Sequence, residues 1–212
     1  FGTAVDVSGN VAIIGSRFTN SAYIYSFDGL SWSMEKHLIG DYEFGHAVAI
    51  ENDWAIVAGY LQNKVSIYRF NGSDWYLHSE IVPGESWGNN GIGDCGNRFG
   101  HSVDIENNTL VIGADGCNKV FIARYDENDD EWNEHQVLND GSGYFGQKVS
   151  ISNDWIIATA PEEGPGYLYA YKTNDMENPN WHLQDIFGGD GSGQSICIDN
   201  GLLVVGNWKI NN

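Results

Sequence analysis

Positive charge is what this sequence has least of: 10 Lys and Arg stand against 29 Asp and Glu, a formal net charge of −19. Such a chain repels a nucleic-acid backbone and an anionic membrane surface, so neither is expected as a partner. Long apolar runs are missing as well. None approaches the ~20 residues of a membrane-spanning helix, which excludes direct insertion by such a helix in this segment, and no secretory leader pattern is present. Catalytic signatures are also lacking. There is no Gly-x-Ser-x-Gly elbow, no His-Glu-x-x-His and no phosphate-cradling glycine loop, and the acids that could form a glycosidase pair lie in turns that vary along the chain. The expectation is a protein that is not an enzyme. Proline is rare (4), whereas glycine is abundant (27) and aromatics reach 13%. That mixture suits many short strands joined by tight turns.

The organising feature is an internal repeat. Phe99 to Ala114 reads as a two-stranded hairpin turning at Asn107-Asn108, and its opening recurs at Phe1-Gly2, Phe44-Gly45, Phe145-Gly146 and, with Ser192 in place of Phe, at Ser192-Gly193. The glycines are spaced by 43, 55, 46 and 47 residues. Each period continues with an apolar, aromatic third strand, such as Ala22 to Tyr25 or Tyr167 to Ala170. A fourth strand follows, starting near Trp32, Trp75, Trp132 or Trp181. The hairpin turns carry Gly9-Asn10, Asn52-Asp53, Asn107-Asn108, Asn153-Asp154 and Asn200-Gly201, pairs that tolerate the two positive φ angles of a type I′ turn.

Four antiparallel strands per ~45 residues without helices predict an all-β fold, a β-propeller with four complete repeats (1–43, 44–98, 99–144, 145–191) and a partial fifth (192–212). The whole chain is expected to form one propeller region. Eighteen strands do not fill whole blades. A seven-bladed ring, needing ~100 or more further residues at this period, is favoured over a five-bladed ring two strands short. The chain also opens on Phe1 at a repeat boundary, and is expected to be part of a longer polypeptide.

The recurrent Phe-Gly-x-x-Val, followed by strands ending Gly113-Ala114 or Ala160-Pro161, resembles the FG-GAP repeat of integrin α-subunit propellers and related extracellular proteins. The resemblance implies an extracellular or cell-surface binding, adhesion or assembly module whose partner is a protein or a glycan. Members often hold Ca²⁺ in the loop between the first two strands. Here those loops are two-residue turns, too short to wrap a hard cation, so no cofactor or metal is expected. The acidic stretches 126–130, 139–143 and 190–193 read as solvated turns.

Several residues stand out as candidates. His46, His101 and Gln147 follow the Phe-Gly pair at the start of innermost strands and could ring the mouth of a central channel, binding a small polar ligand. Trp87 escapes the repeat pattern and is the aromatic to test in ligand binding, with sugars in mind. Cys95 and Cys117 fall in loops on the same rim and could form a disulfide, pointing to an oxidising compartment. Cys197, mid-strand, is expected to be a small buried side chain. Asn71 and Asn107 head glycosylation sequons on the opposite rim, which would leave the cysteine-bearing rim as the partner surface. A subunit of an extracellular filament and a lectin are the alternative functions.

Overall fold

The computed structural model describes residues 1–59, 61–83, 98–162, 166–189 and 192–207. Alternating apolar residues between Gly- and Asn-rich turns give short strands that pair in sequence order. Blade one is β1 (Ala4–Ser8), β2 (Val11–Ser16), β3 (Ser21–Phe27) and β4 (Trp32–Ile39). Blade two is β5 (Ala47–Glu51), β6 (Trp54–Gly59), β7 (Lys64–Phe70) and β8 (Trp75–Ile81). Blade three is β9 (Ser102–Glu106), β10 (Thr109–Ala114), β11 (Lys119–Asp126) and β12 (Glu131–Leu138). Blade four is β13 (Val149–Ser152), β14 (Trp155–Ala160), β15 (Tyr167–Lys172) and β16 (His182–Gly188). A two-stranded sheet, β17 (Ser192–Asp199) with β18 (Leu202–Asn207), completes the described strands. The sheets are arranged as the blades of a β-propeller.

The chain divides into two compact units, Phe1–Val103 and Asp104–Asn212. In the first, Ile13, Ile24 and Leu38 of blade one pack on Val48, Ile50, Ala55 and Val57 of blade two. In the second, Val111, Val120, Ile122 and Leu138 of blade three meet Val149, Ile151, Ile156 and Tyr171 of blade four. Each core is therefore a blade-to-blade interface, a face of one sheet being apolar because the next blade covers it.

The innermost strands carry short polar side chains that reach the next blade. Asp6 Oδ2 accepts the Ile50 amide at 2.7 Å, Asp104 Oδ2 accepts the Ile151 amide at 2.8 Å, and Ser150 Oγ accepts the Ile198 amide at 3.2 Å. One short polar side chain thus satisfies an innermost-strand N–H of the next blade, which no ladder partner reaches. Cys197 occupies the same register position and is a free, exposed thiol, correcting its expected burial. Among the described residues nothing covers that face of β17.

The hairpin turns also depart in part from expectation. Both central residues have positive φ only in Asn107-Asn108 and Asn200-Gly201; elsewhere only the first does, at Gly9, Asn52 and Asn153. Asp53 and Asp154 tolerate left-handed backbone less well than Asn or Gly. They keep their places through ion pairs, to Arg69 at 3.0 Å and Lys172 at 3.3 Å.

A register shift recurs between the third and fourth strands of all four blades, between Ile24/Tyr25, Ile67/Tyr68, Ile122/Ala123 and Ala170/Tyr171. The extra residue on the outer strand is Glu35, His78, His135 or Gln184. A bulge bends the strand and re-aims one side chain.

Candidate functional site

Within each blade the antiparallel order puts the 1–2 and 3–4 turns at one end, and the 2–3 loop with the entry into the first strand at the other. The entry end gathers the conserved-looking Phe-Gly pairs. Gly45 has φ +85, and a Cβ there would lie 2.1 Å from the Ser21 carbonyl oxygen of the preceding blade. Gly146 repeats this with φ +87 and 2.4 Å to the Lys119 oxygen. The motif's glycine is thus a close-approach residue, and its Phe (Phe44, Phe99, Phe145) is a buried plug.

An asparagine in left-handed conformation ends the 2–3 loop of blades one, two and three: Asn20, Asn63 and Asn118. Its side-chain oxygen accepts an amide of the next entry loop, from Glu43 at 2.8 Å, Phe99 at 3.0 Å and Phe145 at 3.1 Å respectively. Sequence reasoning missed this clamp, although the Asn directly before the third strand of blades one, two and three was its signal. The clamp fixes where the following side chains point.

In the first unit these devices bring His46 and His101 together, their ring centroids 4.9 Å apart. The Arg17 guanidinium donates to His46 Nδ1 at 3.4 Å, and the Glu43 carboxylate lies 3.8 Å from the same nitrogen and 3.9 Å from Arg17 Nη1. Thr3 Oγ1 donates to the Gly45 carbonyl at 3.1 Å. Arg17 and Glu43, not anticipated from sequence, lie outside the repeat consensus. Beside this polar cluster Phe18, Tyr42 and Leu61 are exposed, with the Arg17 guanidinium 4.6 Å over the Phe18 ring. Tyr42 has φ +39, unusual for a bulky side chain.

In the second unit the entry end holds Gln147, half-buried, whose amide N donates to the Tyr144 carbonyl at 3.0 Å. Tyr144 is also left-handed and exposed. Burial pushes the Lys148 ammonium below the usual lysine range, with the Asp115 carboxylate opposing that shift. Cys117 is half-buried with its Sγ 3.3 Å from the Ala114 carbonyl oxygen. Trp87 and Cys95 lie outside the described residues. Among the described residues, no three His, Cys, Asp or Glu side chains converge as metal ligands.

At the turn end both sequon asparagines are exposed. Asn71 Oδ1 accepts the Ser73 hydroxyl at 2.8 Å and the amides of Ser73 and Asp74 at 3.0 Å, an Asx turn.

No protein-family description matches this chain, and no curated protein matches its sequence. Solved structures do share its fold. A protein from Lactobacillus plantarum is 13% identical with a TM-score of 0.63, over 87% of this chain and 55% of its own. A functionally unknown protein from Desulfotomaculum acetoxidans DSM 771 is 10% identical with a TM-score of 0.61, over 89% of this chain and 56% of its own. The likeness is one of fold. The chain spans little more than half the length of either neighbour.

Proposed function

We propose that this protein is a non-catalytic binding and assembly module of the cell exterior, an FG-GAP-like propeller that presents its entry-end loops to a protein partner. The observation that carries the reading is the exposure of Phe18, Tyr42 and Leu61 around the Arg17–Glu43–His46 cluster, on loops clamped by Asn20 and Asn63. Exposed aromatics beside an arginine on preorganised loops are the composition of an interface centre. A Cys95–Cys117 disulfide would brace the loops at the same end, and glycans on Asn71 and Asn107 would confine association to it.

The parent ring has seven blades in this reading. The aligned share of the Lactobacillus plantarum neighbour makes that protein about 335 residues long, about seven periods of this repeat. The outer face of blade one supports a further neighbour. Val5 is 68% exposed where its blade-two equivalent Val48 is 7%, and Trp32 is 49% exposed where Trp75 is 2%.

The test is binding of the fluorescently labelled protein to extracellular material of its source cells. The paired substitution Phe18→Ser and Tyr42→Ser should reduce binding at least about tenfold, the loss of two interface anchors, with an unchanged melting temperature. Undiminished binding by that variant, or measurable turnover of a glycan or peptide, overturns the reading. Ring counting by electron microscopy of the native protein tests the blade number.

A further inference from the structure

Blades two and four share an arrangement at the turn end. A cation on the third strand lies over the Trp that follows the hairpin turn and pairs with the turn's Asp. Arg69 is 4.6 Å over the Trp54 ring and 3.0 Å from Asp53 Oδ2; Lys172 is 5.0 Å over the Trp155 ring and 3.3 Å from Asp154 Oδ2. Blade three keeps the cation but not its seat. The register partners Trp54↔Arg69 and Trp155↔Lys172 become Thr109↔Arg124, and Asn108 stands where the Asp would be.

Beside Arg124, and bordered by Asn108 rather than by the buried Thr109, lies a solvent-open hollow of about 430 Å³, within the size range of small-molecule sites. Arg124 reaches across it to donate to the Glu177 carbonyl at 2.8 Å, in the long loop between β15 and β16. His135, the bulged residue of β12, bonds the Pro179 carbonyl of the same loop. The lining is thereby fixed before any ligand arrives. Asp126 Oδ1 accepts both the N and the Nδ2 of Asn128 at 2.9 Å, and Asn108 Nδ2 donates to Glu127 Oε1 at 3.4 Å. Among the described residues, the Asn133 amide and the second oxygens of Asp126 and Glu127 are not used by other side chains.

This lining selects by chemistry. Arg124 disfavours a cation, Asp126 and Glu127 disfavour an anion, and the lining is more polar than apolar. Amides and carboxylates in one hollow offer paired donors and acceptors, which match vicinal hydroxyls that both give and take a hydrogen bond. We propose that the hollow at the turn end of blade three binds a neutral saccharide, a sugar ring seated beside Arg124. The site is distinct from the entry-end partner surface and does not depend on it.

A glycan array of neutral, sulfated and sialylated sugars, followed by calorimetric titration with the best neutral monosaccharide, tests the proposal on the native chain. The expected affinity is about millimolar to micromolar. The double substitution Asn108→Asp and Thr109→Trp restores the Asp and Trp that hold the cation in blades two and four, drawing Arg124 out of the lining and changing Asn108 within it, and removes the Asn107 sequon. It should abolish binding, whereas Thr109→Val, which removes only the sequon, should leave binding intact. Asn133→Leu, at an exposed strand position, should weaken binding at least about tenfold even where the Trp variant fails to fold. The Phe18 and Tyr42 variant should bind sugar normally, which separates failure here from failure of the partner surface. Binding only of sulfated or sialylated glycans, no binding at about 10 mM sugar, or equal binding by Asn133→Leu overturns the proposal.

Discussion

At the scale of single residues, the repeat signature is a backbone requirement. Gly45 and Gly146 are glycine because the chain passes with positive φ against a carbonyl of the preceding blade, leaving no room for a methyl group. Gly45→Ala is expected to destabilise the protein by about 3 kcal/mol, from left-handed strain plus the displaced Ser21 carbonyl. Gly29→Ala, at φ +98 but with open space around it, should cost about 1 kcal/mol from strain alone. Urea titration of both variants checks the difference; equal losses would remove the close-approach explanation. The same scale holds the aspartates and serines of the innermost strands. They look like lapses in an apolar pattern until their acceptor role toward the next blade is seen.

At the scale of elements, the outer-strand bulge links neighbouring blades. Glu35, the bulged residue of β4, accepts the Trp75 indole N–H at 3.3 Å, and Lys36 beside it pairs with Asp74 at 2.7 Å. Gln136, next to the bulged His135, exchanges hydrogen bonds of 2.8 Å with the backbone N–H and carbonyl of Trp181. Trp75 and Trp181, each at the start of its blade's outer strand, are therefore seated on the fourth strand of the blade before. Trp75→Ala is expected to cost about 4 kcal/mol through the cavity it leaves, and Trp32→Ala, in the 212-residue chain by itself, where its ring is half exposed, about 1 kcal/mol. Denaturation midpoints of the two variants check this, and a Trp32 loss as large as that of Trp75 would contradict the seating.

At the scale of the whole molecule, charge sets the pH response. Asp6 and Glu106 sit above their usual values of 3.8 and 4.5, burial outweighing the backbone amides they accept. A carboxylate whose folded pKa is raised binds its proton more tightly when folded, so stability rises as pH falls from neutrality through that range. Relief of repulsion within a net charge of −19 acts in the same direction. Asp28, Asp74 and Asp126 lie below 3.8, held by backbone amides or by Lys36, and their contribution is lost only in stronger acid. The melting temperature is therefore expected to rise from about pH 8 to about pH 5 and to fall steeply below about pH 4. A monotonic fall from pH 8 downward in calorimetry would refute this balance.

The period, the four-strand unit and the turn positions were determined by the sequence alone, because hairpins are built from neighbours in the chain and strand alternation is written residue by residue. The Phe-Gly pairs and the four recurring Trp residues were legible for the same reason: they repeat. Tertiary structure alone decided what lies between repeats. The Arg17–Glu43–His46 cluster, the Asn20 clamp, the Asp6 and Asp104 acceptors and the hollow beside Arg124 all join residues from different strands or blades, often more than forty positions apart in the chain. No local propensity encodes such contacts. They follow from stacking one blade on the next, which sets a departure from the repeat, such as Thr109 for Trp, near residues of a neighbouring blade.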